Sequence, residues 1–138
     1  MNSRLLTLFL FATGVVGAEE PKPDAESIEF FERRVRPVLA EHCYSCHGPE
    51  KQKAGLRLDS RAAVLVGTDD GPVVVPGKPE TSALIAAIRH EGEYPMPSKE
   101  PKLADDDIAA LAEWVQRGLP WPEDAAPIPV KPSPETVA

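Results

Sequence analysis

The stretch Cys43-Tyr44-Ser45-Cys46-His47 decides how the rest of the chain reads. Residues i and i+3 of a helical turn lie on one side, so the Cys43 and Cys46 thiols face the same way. His47 follows at once, four residues after Cys43, and joins them on that side. Two thiols and an imidazole in this pattern suit one flat ring carrying two vinyl groups and a central iron. C-x-x-C-H is the attachment signature of c-type haem. Two thioether bonds would consume the whole inventory, because the chain has 2 Cys.

Other chemistries use parts of the same motif. A thioredoxin-like redox pair also reads C-x-x-C, but it opens a helix after a strand in a βαβ unit. Here the motif follows an amphipathic run, and no βαβ pattern is visible. A structural zinc site takes four ligands, usually as two clusters. Cys43, Cys46 and His47 make one cluster, and no second Cys pair exists.

The 138 residues allow one small domain. Lys+Arg 15 against Asp+Glu 22 gives a formal charge of −7, which argues against nucleic acid. With Pro 16, Phe 4, Trp 2 and Tyr 2, side chains alone make a thin core, and a small domain then needs a staple. Residues 1–18 read as a cleaved export signal. Arg4 is the positive start, 5–17 are apolar apart from Thr7 and Thr13, and Val16-Gly17-Ala18 supplies small residues at the cleavage point. The apolar run falls short of the roughly 20 residues of a span, so no stable membrane span is expected after cleavage. Cleavage removes Met1 and leaves Met96 as the one methionine. The organisation expected is a signal at 1–18, a polar leader at 19–24, a domain at 25–121 and a Pro-rich tail or linker at 122–138.

Helical signals dominate the domain. Asp24 or Ser27 can cap a first helix with Ile28, Phe31, Val35 and Val38/Leu39 on one face. Pro37 inside that pattern predicts a kink or break. Asp59 or Ser60 caps a short helix from Arg61 to Val66, stopped by Gly67. Val73, Val74 and Val75 lie between Gly-Pro and Pro-Gly signals and read as extended, with no pairing required. Thr81 or Ser82 caps the next helix, with Leu84, Ile85 and Ile88 inward and Gly92 closing it. Asp105, Asp106 and Asp107 open the last helix, and Gly118 closes it. Tyr44 and Ser45 read as spacers.

The candidates for the sixth iron ligand are Met96, His42 and His90. Met96 sits between Pro95 and Pro97, which hold one side chain in place at low entropic cost. A thioether is a soft, neutral ligand, so Met96 is taken as the ligand opposite His47. His42 abuts Cys43 and is poorly placed to cross the ring, so it reads as a surface or hydrogen-bonding residue. Arg57, Lys78 and Arg89 are candidate partners for haem propionates, against ordinary solvated charge. Gly71-Pro72 is a candidate source of the carbonyl that would hold the second ring nitrogen of His47. Trp114 either packs on the ring edge or joins Phe31 between helices.

Several stretches together resemble the planctomycete-type cytochrome c domain. They are Phe31-Glu-Arg-Arg-Val-Arg-Pro-Val-Leu39, Cys43-Tyr-Ser-Cys-His-Gly48, Ala54-Gly-Leu-Arg-Leu-Asp-Ser60, Gly71-Pro-Val-Val-Val-Pro-Gly77, Ser82-Ala-Leu-Ile-Ala-Ala-Ile-Arg-His90, Met96-Pro97 and 108–121. The likeness covers roughly residues 28–122. The family usually reads Met-Pro-Pro where this chain has Ser98, and holds Gly-Gly in the loop before Gly71, where this chain has Gly67-Thr68-Asp69-Asp70.

The resemblance implies an all-α, cytochrome c-like fold. Three to five short helices would surround one covalent haem c, with long Pro/Gly-rich loops, and the helix before the motif would cross the last helix. It also implies one-electron transfer. The expectation is therefore an exported, periplasmic carrier and not an enzyme, docking on redox partners through a basic patch of theirs. The alternatives are an electron-entry domain for a catalytic module carried C-terminally, and a haem-based sensor or structural module.

Overall fold

The computed structural model of the protein describes residues 21–123, together with Gly14 and Gly17. The expected signal and most of the expected tail lie outside the described residues. All regular structure among the described residues is helical, and only isolated bridges pair His47 with Gln52 and Thr68 with Gly71.

The first helix is built as α1 (Ala25–Phe30), a π-helical turn (Phe31–Val35) and α2 (Arg36–His42), run together without interruption. Asp24 Oδ1 caps it by accepting from the Ser27 N–H at 2.8 Å. Pro37 does not break the helix; the disruption is a local widening just before it. Its nitrogen cannot donate to the carbonyl four residues back, and the chain widens locally so that the Arg36 N–H bonds to the Phe31 carbonyl, five back. The widened turn carries Phe31 and Val35, both fully buried, against the last helix.

Helix α3 (Arg61–Val66) starts on Ser60, whose hydroxyl accepts from the Ala63 N–H, and stops at Gly67. Asp59, the other expected cap, is bound elsewhere. Val73, at a bend, Val74 and Val75 join no strand, and Val74 lies in the core. The buried Ser82 hydroxyl donates to the Lys78 carbonyl at 2.8 Å and accepts from the Val75 N–H at 2.9 Å. It therefore ties this segment to α4 (Ala83–Ile88) without capping the helix through its side chain.

Helix α4 ends earlier than Gly92. His90 adopts a left-handed φ of 58°. The Glu91 N–H reaches the Ala86 carbonyl at 3.0 Å, and the His90 N–H reaches Ala87 at 3.1 Å. This is the double hydrogen bond usually closed by glycine, here closed by a histidine. The same closure ends α5 (Asp105–Gln116), with Gly118 at φ 84° in the expected place.

The π turn meets α5 through three rings. Phe31 lies 6.1 Å from Trp114 and 4.4 Å from Trp121, centroid to centroid. Trp114 thus joins Phe31 between helices, the second of its two expected roles. Its indole N–H donates to the Pro120 carbonyl at 3.0 Å, so its one polar atom is satisfied. Arg61 donates to the Leu119 and Gly118 carbonyls and fastens α3 to the end of α5. These contacts bring the end of α2, and the motif that follows it, to one side of the core.

Candidate functional site

Cys43 caps α2, its N–H bonding to the Leu39 carbonyl at 3.0 Å. One more turn follows. The Cys46 and His47 N–H groups both bond to the Cys43 carbonyl, at 3.2 and 2.9 Å. Cys43, Cys46 and His47 are therefore carried on a single hydrogen-bonded turn, as the spacing predicts. The chain then doubles back over it. The Lys53 N–H bonds to the Cys46 carbonyl at 2.9 Å and the Leu58 N–H to the His47 carbonyl at 2.8 Å. Gly48 makes this return possible, because a Cβ there would run into the Tyr44 carbonyl oxygen.

Tyr44 is not a spacer. Its ring is 1 % exposed and is among the largest fully buried side chains. Its hydroxyl is buried without a hydrogen-bond partner, and burial pushes its pKa up. Tyr44 is part of the hydrophobic core, and Cys43 packs against the same core. No signal in the motif could have indicated this, since any residue satisfies the spacing.

Cys43 and Cys46 form no disulfide. Burial, then Glu100 and Cys46, push the Cys43 thiol up to about 12, although the residue keeps some surface. A redox-active dithiol shows the opposite direction, a thiol lowered towards neutrality. The structure thus gives no support to the dithiol alternative. Among the described residues no group of three or more His, Cys, Asp or Glu side chains is arranged to hold a metal ion, so the zinc alternative gains none either.

His47 is half-buried, and burial lowers its pKa. The Leu56 and Lys53 carbonyls act against that shift, yet neither completes a hydrogen bond to Nδ1, which stays buried and unpartnered. A neutral imidazole keeps a lone pair, the form a metal requires. The Gly71-Pro72 turn is not the carbonyl source the sequence suggested. The Gly71 carbonyl already accepts from the Thr68 N–H at 2.9 Å and from its hydroxyl at 3.1 Å. The carbonyls facing His47 come instead from the segment that folds back over it.

Met96 lies on a separate loop and is half-buried. Its N–H bonds to the Ala87 carbonyl at 3.0 Å, and its own carbonyl lies 3.1 Å from His90 Nε2. These anchors run to α4 and not to the 43–47 turn. The contribution of His90 is therefore to hold the Met96 backbone. His42 Nδ1 lies 2.9 Å from Glu100 Oε2, at the edge of a groove of about 480 Å³ that Lys102 and Asp107 also line.

The three candidate propionate partners differ. Arg57 grips Asp59 through two nitrogens, at 2.9 and 2.6 Å, and holds its carboxyl below the usual range. Arg89 donates to both oxygens of Glu80, at 3.1 and 3.0 Å. Lys78 is exposed.

No helix among the described residues is long and apolar enough to cross a membrane. A family model described as planctomycete cytochrome C matches residues 43–100. No curated protein and no solved structure matches the chain. The match opens on the C-x-x-C turn and runs through the Met96 loop to Glu100, the stretch in which the thiols, His47 and Met96 all lie. Residues 43–100 are accordingly a planctomycete cytochrome C domain, a helical domain of the cytochrome c family.

Proposed function

We propose that the chain holds one covalent haem c and passes single electrons outside the cytoplasm. Cys43 and Cys46 would hold the haem through thioethers, with His47 and Met96 as the axial ligands. The observation that carries this reading is the family match over a single hydrogen-bonded turn that holds both cysteines and a half-buried imidazole whose pKa burial lowers. The buried, unpartnered His47 Nδ1 fits as well. An axial histidine commonly donates its second ring N–H to a carbonyl, and those of Leu56 and Lys53 lie beside it.

When bound, haem supplies an iron that cycles between ferric and ferrous, and methionine ligation raises its potential. The chain's own residues do the rest. The return segment fixes the His47 carbonyl through Leu58 N–H, which limits how far the imidazole can move when the iron changes charge. Phe31, Trp114 and Trp121 keep water out of the core behind the turn. No general acid, base or nucleophile is required, so the role is that of a carrier and not of an enzyme. With a formal charge of −7, the docking partner would present a basic patch, and association would weaken as salt rises.

A redox titration of the purified, haem-loaded protein tests the reading. A single reversible one-electron wave is expected, with little carbon monoxide binding in the ferrous state. Ready carbon monoxide binding by the wild type would mean an open sixth position and favour a sensor.

A further inference from the structure

We infer that His42 and Glu100 form a latch that holds the Met96 loop to the attachment turn, and that both are positioning residues for the sixth ligand. This rests on Met96 being that ligand. His42 is the last residue of α2, immediately before Cys43. Glu100 comes four residues after Met96, and its Oε2 lies 2.9 Å from His42 Nδ1 across 58 positions of chain. The side chains are 25 % and 48 % exposed, so the contact is partly screened from water.

The 96–104 stretch is fastened at its start to α4, through Ala87 and His90, and near its end by the buried Leu103. Neither anchor reaches the turn that carries His47; the His42–Glu100 contact does. Glu41 Oε2 lies 3.9 Å from His42 Nε2, and Asp107 lines the same groove, with Lys102 as the opposing charge. A thioether is a weak ligand, so an external ligand competes whenever the loop swings out. The apparent affinity of that ligand then reports the open fraction.

The test is an imidazole titration of the ferric, haem-loaded protein, with amide exchange measured at Ser98, Lys99 and Lys102. His42→Phe and Glu100→Gln should each bind imidazole about fivefold more tightly and exchange faster at the three amides. The double variant should go no further than either single variant, and His42→Lys, which keeps an N–H donor for the Glu100 carboxylate, should stay near wild type. Single variants that match wild type, effects that add in the double variant, or failure of His42→Lys to restore the wild-type value would each overturn the latch. Met96→Ala separates the two layers. If it binds imidazole far more tightly than wild type while the latch variants do not, the ligand assignment stands and the latch falls. If it matches wild type, the ligand assignment itself is wrong, and the latch goes with it.

Discussion

The attachment turn and the Met96 loop are held in different ways. The turn at 43–47 is fixed mainly by backbone hydrogen bonds, to Leu39 behind it, within itself, and from Lys53 and Leu58 in front. The Met96 loop is held by a backbone bond to Ala87 and by side chains, among them His90 and Glu100 with its partner His42. Tyr94 and Pro95 on that loop are exposed, whereas Tyr44 inside the turn is buried. Backbone bonding over one short stretch makes a rigid platform for covalent chemistry. A loop held by a few distant contacts suits a ligand whose bond to iron is weak.

The largest effect should come from removing the platform's chemistry. Cys43→Ala/Cys46→Ala protein should lose all haem that survives denaturation, judged by haem staining after denaturing electrophoresis. Haem that stays attached would break the platform side of the comparison.

Next comes Met96→Ala. It should bind carbon monoxide readily in the ferrous state and lose the red absorbance band of thioether-ligated ferric haem, while its thermal stability stays close to wild type. A large loss of stability would show that the loop is part of the core, and the two regions would no longer differ in kind.

Gly48→Ala sharpens the comparison from the other side. The added Cβ would meet backbone, which cannot give way as a flexible side chain can, so we expect a cost of about 2 kcal/mol in urea unfolding. A cost near zero would mean that the return over the turn is looser than its hydrogen bonds indicate.

The smallest effect concerns Asp59, next to Leu58 on the returning segment. Arg57 keeps its carboxyl below the ordinary range. A carboxyl lowered in the folded state adds stability above its unfolded pKa of about 4 and loses it as pH falls through the folded value. Asp59→Asn should therefore be less stable than wild type at neutral pH, with the gap closing in acid. Urea melts at the two pH values measure it; a gap that does not change would contradict the assignment.

What the sequence made legible was local. Asp24, Ser60 and Gly118 act at helix ends as their chemistry requires, and the Cys43, Cys46 and His47 spacing yields one turn. The inward face of α4 followed from periodicity. What escaped depended on partners distant in sequence or on backbone adjustment. Pro37 reads as a breaker because the pattern does not encode the option of a π turn. His90 reads as a candidate ligand because a left-handed histidine leaves no mark in sequence. The carbonyls facing His47 come from a segment that folds back only once Gly48 lets it. Tyr44 looked like filler because the motif constrains its neighbours and not itself.

The central claim is that the 43–47 turn carries one covalent haem, and the intact mass of the exported protein, read with its pyridine haemochrome spectrum, tests it most directly. The chain mass plus one haem is expected, with a spectrum of the c type. An unmodified mass with two titratable thiols would contradict it.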